Sequence, residues 1–414
     1  MEASREIELE GHIIDSGIMT LVFDRIMDMG GNFEMLVFNI GKKKTDPSYA
    51  RLRVNAESEE KLNQILSELH RYGARQLRID DVCIVPAEGD HIVPKGFYST
   101  TNHPTSVKFK GIWVPVGDIE MDCLIVVNKV DLTARCTPIS KLKKGDYVVV
   151  GEQGVRIVPP ERPRERTNFE FMQGTVSPER PSETLISRIA AEILDIHRKG
   201  GKIALVGGPA IIHTGADRAL AEIIRKGYIN VVFAGNALAT HDIEYNLFGT
   251  SLGMDLSTGK PVTGGHKHHI YAISEIIRAG SIKNAVNEGI ITGGIMYECV
   301  KNDIPFVLAG SIRDDGPLPD VITDVMEAQD RMREHTRNCS MVLMIATLLH
   351  SIAVGNCLPS YVKTVCVDIN PTSVTKLMDR GTMQAIGVVS DAGTFLPLLA
   401  KQLDLQSGLT PACD

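Results

Sequence analysis

The sequence predicts an α/β protein in which a doubly wound parallel sheet follows a small α+β domain and a β-rich subdomain. Three observations predict this architecture. In residues 1–81, strand-like and helical periodicities alternate, and residues 82–160 contain short β-branched runs broken by glycine, proline and aspartate. In residues 182–406, helices alternate with strands that are apolar throughout, which is typical of a parallel sheet covered on both faces.

The small α+β domain, residues 1–81, is predicted from periodicity and from one helix cap. Ser58 is a favoured N-cap residue, and Glu60 lies in the first turn of the helix that follows it. The predicted elements are strands 6–14, 35–40 and 50–56 and helices 18–29 and 59–72. Their order of strand, helix, two strands and helix is similar to half of a ferredoxin-like unit.

The β-rich subdomain, residues 82–160, is predicted to form a barrel or a sandwich. Its strands are expected at 107–109, 112–116, 123–128, 147–150 and 155–158. A polar loop at residues 99–104 either lines a cleft or forms a plain turn. Residues 161–181 are rich in proline and charge and are predicted to be a linker.

The C-terminal domain, residues 182–406, is predicted to contain the parallel sheet, and residues 407–414 are predicted to be a frayed tail. Helices are expected at 185–198, 216–225, 320–352 and 373–378, and strands at 203–206, 231–233, 305–309, 362–367 and 385–389. The glycine-rich turn at residues 207–209 does not match the Gly-x-Gly-x-x-Gly pattern of the usual dinucleotide-binding turn.

Two neighbouring strands near the C-terminus each end in an acidic turn. Asp368 follows the strand 362–367, and Asp391 follows the strand 385–389. Ligands of open α/β sheets bind at the carboxyl ends of the strands, and a carboxylate at that position can accept both hydroxyls of a ribose. The pair therefore predicts a dinucleotide site. The alternative is that each aspartate only caps the helix that follows it.

Two other strand ends contain candidate residues. Asn236 and Ala237 begin a helix whose backbone amides can face a phosphate, although a simple β-α turn would have the same sequence. Asp314 and Asp315 are adjacent carboxylates, and their mutual repulsion would raise one pKa into a range useful for proton transfer. A solvated acidic turn is the alternative interpretation.

Thr347 and His350 lie three residues apart in a segment predicted to be helical, so they share one face. If buried, they need partners, which are either a ligand or other core groups. Residues 264–269 combine two glycines with three histidines and Lys267. No second ligand group accompanies these histidines, so an anion site is favoured over zinc and no metal site is predicted. Lys267, if desolvated, could take part in acid/base chemistry.

Composition excludes several classes of function. Of the 414 residues, 43% are hydrophobic and 23% are charged, and the net charge of -7 does not favour a nucleic-acid partner. The N-terminus has no apolar signal segment, and the apolar tract 341–349 is too short to cross a bilayer, so a cytoplasmic protein without a membrane partner is expected. The eight cysteines are scattered and are expected to be reduced and mostly buried.

Several segments resemble a known family. The sequences YSTTNHPT at 98–105, WVPV at 113–116 and MDC at 121–123 resemble the LOR/SDH region. Residues 207–247, with AGNA at 234–237 and Asp242 downstream, resemble NAD-binding domains like that of deoxyhypusine synthase, and SDA at 390–392 resembles the adenosine end of that site. Together these segments cover nearly the whole chain, which thus resembles the archaeal-type NAD-dependent ornithine cyclodeaminases.

The resemblance implies an ammonia lyase that converts L-ornithine to L-proline and ammonia and uses NAD as a recycled hydride carrier. It also implies a homo-oligomer, either a dimer or a tetramer. Asp315 is assigned a catalytic role beside the nicotinamide, and Lys267 is assigned to substrate charge or proton handling. The residues assigned to NAD are Asn236, Ala237, Asp315, Thr347, Leu348, Leu349, His350, Asp368, Asn370, Asp391 and Ala392, with Leu348 and Leu349 as apolar lining.

Two alternative functions are compatible with the sequence. A transferase similar to deoxyhypusine synthase would oxidise a polyamine, although that enzyme lacks an N-terminal region of this kind. A non-catalytic sensor would bind an amino acid through its first domains and NAD through its last. Formation of proline without accumulation of NADH distinguishes the cyclodeaminase from both.

Overall fold

The structure is a computed structural model that describes residues 3–14, 16–42, 46–76, 80–158, 182–256, 258–314, 316–380 and 385–408. The chain divides into two compact units, Met1–Gln173 and Gly174–Asp414. The predicted linker at 161–181, most of the predicted tail and Asp315 lie outside the described residues.

The first part of the N-terminal unit is a four-stranded antiparallel sheet packed against two helices. Its elements are β1 (Ala3–Gly11), α1 (Ile18–Asp28), β2 (Asn32–Asn39), β3 (Ser48–Ala56), α2 (Glu59–His70) and β4 (Arg75–Gln76), and the strand order is β2-β3-β1-β4. Alternate residues of β3 are buried, and the Ser58 hydroxyl accepts the Lys61 N–H at 3.2 Å as the predicted cap. The predicted α+β element order is confirmed.

The second part of this unit is a seven-stranded sheet. Its strands are β5 (Cys83–Pro86), β6 (Thr105–Phe109), β7 (Ile112–Gly117), β8 (Leu124–Asn128), β9 (Thr133–Thr137), β10 (Tyr147–Val150) and β11 (Val155–Ile157), in the order β11-β6-β7-β9-β8-β10-β5. The Thr100 hydroxyl donates to the Glu120 carbonyl at 2.7 Å and accepts the Cys123 N–H at 2.9 Å. The β-rich subdomain is confirmed. Through its two hydrogen bonds, Thr100 holds the polar loop 99–104 against the segment before β8.

The C-terminal unit is built around a seven-stranded parallel sheet with the strand order β17-β16-β13-β12-β18-β19-β20, and β14 and β15 form a separate short hairpin. Its elements are α3 (Ser182–Arg198), β12 (Lys202–Gly207), α4 (Ala210–His213), α5 (Asp217–Arg225), β13 (Val231–Gly235), α6 (Asn236–Phe248), β14 (Thr250–Ser251), β15 (Met254–Asp255), α7 (His268–Ala279), α8 (Ile282–Asn287), α9 (Ile295–Lys301), β16 (Phe306–Ala309), β17 (Val321–Ile322), α10 (Val325–Thr336), β18 (Cys339–Ile345), α11 (Leu349–Asn356), β19 (Lys363–Asp368), α12 (Pro371–Arg380), β20 (Ala385–Val389) and α13 (Ala392–Ser407).

The strand order shows where this sheet binds ligands. After β12 the chain adds β13, β16 and β17 on one side and then β18, β19 and β20 on the other. Apolar residues of α10, α11 and α12 share one core with the sheet. The helices α3 and α5 pack against α13, and α3 and α13 contact strands of the sheet. The doubly wound sheet is therefore confirmed. Its topological switch point lies between β12 and β18, where open α/β sheets bind their ligands.

One predicted element was wrong. The sequence predicts a long helical region at 320–352, but the structure has α10, then the strand β18, then α11. Nearly all residues of β18 are buried, and a strand buried on both faces shows no alternation that would distinguish it from a helix. The correction moves Thr347 from the interior of a helix to the loop at the carboxyl end of a strand.

Within the described residues, no helix is long and apolar enough to span a membrane. The described cysteines are free thiols, and all of them except Cys83 are buried. Cys413 lies outside the described residues.

Candidate active site

The carboxyl edge of the parallel sheet brings together most of the candidate residues. Parallel strands end at the same edge, so the side chains that follow them border a common region. Within the candidate set, Asn236 follows β13, Thr347 and His350 follow β18, Asp368 ends β19, and Asp391 follows β20.

The ends of β12 and β18 approach each other through their backbones. The Gly208 N–H donates to the Ile345 carbonyl at 3.0 Å, and a Cβ at Gly208 would lie 1.9 Å from the Ala346 oxygen. Ala346 has a φ of 55°, a left-handed conformation that is costly for a residue with a side chain. Backbone strain of this kind concentrates at functional sites, and here it lies at the switch point.

His350 lies beside the ends of two strands, β13 and β18. Its Nδ1 lies 3.2 Å from the Thr347 hydroxyl, and a Cβ at Gly235 would lie 3.0 Å from its Cε1. Burial lowers the pKa of His350, while the charge of Asp314, in the loop after β16, acts in the opposite direction. Burial thus favours the uncharged imidazole, which borders the ends of β13 and β18.

Asn236 is hydrogen-bonded to the loop that contains the acidic turn. Its Oδ1 accepts the Leu318 N–H at 3.1 Å and the Thr240 hydroxyl at 3.2 Å. Asn236 is buried, and Ala237 is half-buried in the first turn of α6. The side-chain oxygen of Asn236 thus holds Leu318, near the end of this loop, against α6.

Asp368 and Asp391 lie on adjacent strand ends, and the Ser390 N–H donates to the Asp368 carbonyl at 3.1 Å. Asp368 Oδ1 accepts the Asn370 N–H at 2.8 Å, and Asn370 in turn caps α12 by accepting the Thr372 N–H at 2.9 Å. Asp391 occupies the N-cap position of α13, but its side chain makes no capping hydrogen bond. The side chain of Asp391 therefore does not act as a cap.

The other residues assigned to the cofactor differ in exposure. Ala392 is the first residue of α13 and is buried. Leu348 packs against the core shared by the sheet and α10 to α12, whereas Leu349 is 74% exposed. Asp315 lies outside the described residues, between Asp314 and Gly316.

A second polar group, which the sequence analysis did not single out, surrounds Glu244 on α6. Glu244 is fully buried and accepts hydrogen bonds from His241 Nδ1 at 2.8 Å, the Thr250 hydroxyl at 3.0 Å, and the N–H groups of Gly253 at 3.1 Å and Leu252 at 3.2 Å. Burial raises the pKa of Glu244, but these hydrogen bonds outweigh burial and lower it. An ionised carboxylate can only accept, so it fixes a proton on His241 Nδ1 and leaves Nε2 of the neutral ring as an acceptor.

Other histidines lie around His241. The ring of His213 lies 4.9 Å from that of His241, and the ring of His269 lies 6.4 Å from it. Nδ1 of His268 is 2.7 Å from the Thr250 hydroxyl, which also donates to Glu244. His213 ends α4, the helix after β12, so this histidine cluster adjoins the β12 side of the sheet edge.

Lys267 ends the 3₁₀ helix Gly265–Lys267 beside this cluster and is exposed, so burial does not desolvate its ammonium group in this conformation. Within the described residues, no group of three or more His, Cys, Asp or Glu side chains is arranged to hold a metal ion. The spacing of His241 and Glu244, one helical turn apart after a strand end, is the sequence signal that would have indicated the cluster.

Asp242, which belongs to a segment that carries the family resemblance, joins the helices α6 and α9. Its two carboxylate oxygens accept the N–H groups of Ile295 and Met296, at 2.9 Å and 2.8 Å. Burial raises its pKa to about 7. A Cβ at Gly294 would lie 2.7 Å from Asp242 Oδ1, so glycine permits this approach. Asp242 therefore fixes the start of α9 against α6.

Comparison with known proteins identifies the family. Residues 4–103 match the LOR/SDH bifunctional enzyme conserved region, residues 104–186 match the first C-terminal region of arginine dihydrolase ArgZ-like proteins, and residues 187–399 match their C-terminal Rossmann fold. The ornithine cyclodeaminase of Archaeoglobus fulgidus is 61% identical over 396 residues, which are 96% of this chain and 97% of that protein. The chain belongs to the ornithine cyclodeaminase family. The ornithine cyclodeaminase of Methanothermobacter thermautotrophicus is 59% identical over 407 residues, 98% of this chain and 99% of that protein.

Solved structures agree with membership of the ornithine cyclodeaminase family. A LOR/SDH protein from Methanococcus maripaludis is 57% identical, with a TM-score of 0.75 and coverage of 80% of this chain and 100% of that one. The cyanobacterial arginine dihydrolase ArgZ is 40% identical, with a TM-score of 0.86 and coverage of 98% of this chain and 59% of that one. AgrE in complex with ornithine and NAD+ is 43% identical, with a TM-score of 0.55 and coverage of 99% and 59%. The family predicted from the sequence is confirmed, and members of this family are enzymes.

Proposed function

We propose that this protein converts L-ornithine to L-proline and ammonia and holds NAD as a recycled hydride carrier. The observation that carries the proposal is the carboxyl edge of the parallel sheet, where Asp368 and Asp391 lie on adjacent strand ends and the Asp391 carboxylate makes no capping bond. The names of the archaeal relatives support the same reaction, and the complex of AgrE supports the same pair of ligands.

The residues at this edge fit a dinucleotide. The carboxylate of Asp391 is free to accept ribose hydroxyls, and Asp368 ends the strand beside it. Ala237, in the first turn of α6, would border a phosphate, because backbone amides at a helix start favour anions. Thr347 and His350 would border the remainder of the ligand. When bound there, NAD would supply a hydride acceptor for the substrate carbon and, in its reduced form, a hydride donor to the same carbon.

The protein must supply the proton transfers and hold the substrate charges. His241 suits proton transfer, because Glu244 fixes its Nδ1 proton and leaves Nε2 as an acceptor. Lys267, exposed beside the histidine cluster, is assigned to the substrate carboxylate. Asp315, next to Asp314, is assigned to the region beside the nicotinamide. Asp315→Asn or Lys267→Ala with unchanged turnover would remove the respective assignment.

The reaction is tested with purified protein, L-ornithine labelled with deuterium at Cα, and NAD in less than the amount of substrate. We expect proline and ammonia in equal amounts, many proline molecules per NAD, no accumulation of NADH, and deuterium retained at Cα. Retention follows because the hydride removed from that carbon is the one returned to it. NADH equal in amount to product would instead indicate an ordinary dehydrogenase, and the absence of proline would indicate a sensor; either result overturns the proposal.

The proposal also includes a homo-oligomeric assembly, dimer or tetramer, as the family resemblance implies, and a cytoplasmic location, as the sequence predicts. Light scattering of the purified protein measures the mass in solution. A mass equal to that of one chain across the working concentration range would refute the homo-oligomer.

A further inference from the structure

The strand β2 forms one edge of the antiparallel sheet in the N-terminal unit. It pairs with β3 on one side, and within the described residues no strand pairs with its other side. Natural edge strands are usually very short or carry lysine, arginine or proline, which prevent pairing with another chain. The opposite edge strand, β4, has two residues, one of which is Arg75. β2 has eight residues and contains no lysine, arginine or proline, so it is a long edge open to pairing.

The side chains of β2 are uncharged with one exception. Glu34 is its only charged residue, and its carboxylate accepts a hydrogen bond from Arg53 Nη1 at 2.7 Å within the same sheet. Val37 and Phe38 on the strand and Ile40 just beyond it are exposed. An edge that is apolar and neutral favours another apolar strand over a charged peptide.

The helix α1 extends this apolar edge on the core face of the sheet. The ring of Phe23 stacks on that of Phe33 of β2, with centroids 4.5 Å apart, so this side of α1 faces β2. Met27 lies one helical turn after Phe23 on the same side and is exposed. The strand edge and the neighbouring side of the helix therefore both present apolar surface to a partner.

A bulge places two phenylalanines of β2 on the same face of the sheet. The register with β3 shifts just after Met35, which changes the alternation of the residues that follow. Before the bulge, Phe33 lies opposite the buried Val54, and after it, Phe38 lies opposite the buried Ala50. Residues directly opposite each other share a face, so both phenylalanines take the core face.

This alternation makes β2 complementary to a second copy of itself. A two-fold axis just after Met35 would place Phe33 opposite Phe38 of the second copy, on the core face of both sheets. The same axis would place Asn32 opposite Asn39 of the second copy, and both asparagines lie on the outer face, opposite half-buried residues of β3. Aromatic pairs across strands are stabilising, and this register sets no like charges opposite each other.

We propose that β2 pairs antiparallel with β2 of a second copy of this chain and joins the two four-stranded sheets into one. The proposal identifies a surface for the homo-oligomer of the proposed function and rests on that assembly. With Met27 and Ile40, the strand would bury on the order of 500 Å² per copy, which meets the roughly 1,000 Å² in total that a biological interface needs. The contact leaves the residues assigned to NAD and to the chemistry untouched.

The Phe38→Lys variant tests the surface in the full-length protein. Phe38 is 41% exposed, so the fold of one copy should tolerate lysine, whereas a charge on this edge opposes strand pairing. Light scattering should show the mass falling to half that of the unsubstituted protein. Ile112→Lys is the control, because Ile112 is 50% exposed but lies on β7, which has a strand on each side. Its mass should not change.

The register supplies a second measurement that does not depend on disrupting the interface. A variant with both Asn32→Cys and Asn39→Cys should form disulfide-linked dimers under a mild oxidant. Each single variant should not, because the two copies of residue 32 would lie roughly 20 Å apart, well beyond the ~7 Å that a disulfide can span between Cα atoms. The unsubstituted protein gives the background from the exposed Cys83.

Three results would each overturn this surface. They are an unsubstituted protein with the mass of one chain, equal masses for Phe38→Lys and Ile112→Lys, and single cysteine variants that cross-link as readily as the double one. Formation of proline from ornithine is assayed separately on the unsubstituted protein. Its absence would overturn the proposed reaction, while a halved mass in Phe38→Lys would still support the surface.

Discussion

At the scale of one residue, Asp391 shows that a residue type favoured as an N-cap does not always make the capping hydrogen bond. Asp is a favoured N-cap, and Asp391 occupies that position on α13 without making the capping bond. Ser58 and Asp324, by contrast, do cap their helices through their side chains. The sequence offered both Ser58 and Asp391 as capping residues, and only the structure shows that Ser58 caps its helix and Asp391 does not.

The Asp391→Asn substitution should weaken NAD binding by about tenfold or more, because a neutral amide makes weaker hydrogen bonds to ribose hydroxyls than a carboxylate does. Asn is also a good N-cap, so the thermal midpoint should not fall. Calorimetric titration with NAD measures the affinity. Asp195→Asn, which removes an exposed carboxylate paired with Lys199, is the control. Equal affinity in the two variants would exclude a ribose-binding role for Asp391.

Glu244 allows a second test at the scale of one residue. In Glu244→Gln, the carboxylate that fixes the Nδ1 proton of His241 is replaced by a group of nearly the same size. Turnover should fall about 10-fold to 100-fold, the range seen when an outer-shell partner is lost, and the pH profile of kcat should change. Glu275→Gln on α7, where the carboxylate pairs with Arg278, is the control. A lower kcat with an unchanged pH profile would indicate a purely structural role for Glu244.

At the scale of elements, the sequence predicts what local periodicity encodes. The strands before Asp368 and Asp391 were predicted because each is a short β-branched run that ends in turn residues. The strand β18 was missed because its burial on both faces removes the alternation. The cluster around Glu244 was missed for another reason. The spacing of His241 and Glu244 encodes only one of its contacts. The others join α4, β14 and α7 to α6 between residues more distant in sequence, and local patterns do not encode those.

The contact between β12 and β18 gives a prediction at this scale. Gly208→Ala would place a Cβ 1.9 Å from the Ala346 oxygen, which is backbone and cannot rotate away. The substitution should lower the free energy of unfolding by about 1–3 kcal/mol, as overpacking does, and should also weaken NAD binding. Gly355→Ala is the control. Gly355 lies within α11, and a Cβ there would lie 3.7 Å from Met344 Cε, an ordinary contact distance. That variant should be more stable by about 0.5–1 kcal/mol in urea unfolding. Equal stability of the two variants would contradict the close backbone contact.

At the scale of the whole molecule, buried titratable groups differ in how many hydrogen-bond partners they have. In the C-terminal unit, the ionised Glu244 is satisfied by four hydrogen bonds. In the N-terminal unit, His70 of α2 is buried against Tyr98, their ring centroids 5.9 Å apart, and no described residue contacts its Nε2 through a hydrogen bond. Burial lowers the pKa of His70 from 6.5 to about 4. Between these two pH values, His70 is therefore neutral in the folded unit and protonated in the unfolded chain.

The low pKa of buried His70 should make the N-terminal unit less stable in acid. As the pH falls below 6.5, the unfolded chain binds a proton on His70, while the folded unit does not until about pH 4. The free energy of unfolding should therefore fall between these values by about 3 kcal/mol in total, from a pKa difference of about 2.5 units. Urea unfolding followed by fluorescence of Trp113, the only tryptophan, reports on this unit. In His70→Leu this contribution to the pH dependence should vanish, whereas the exposed His91→Leu should retain it. Parallel curves for the two variants would show that another group controls the acid limb.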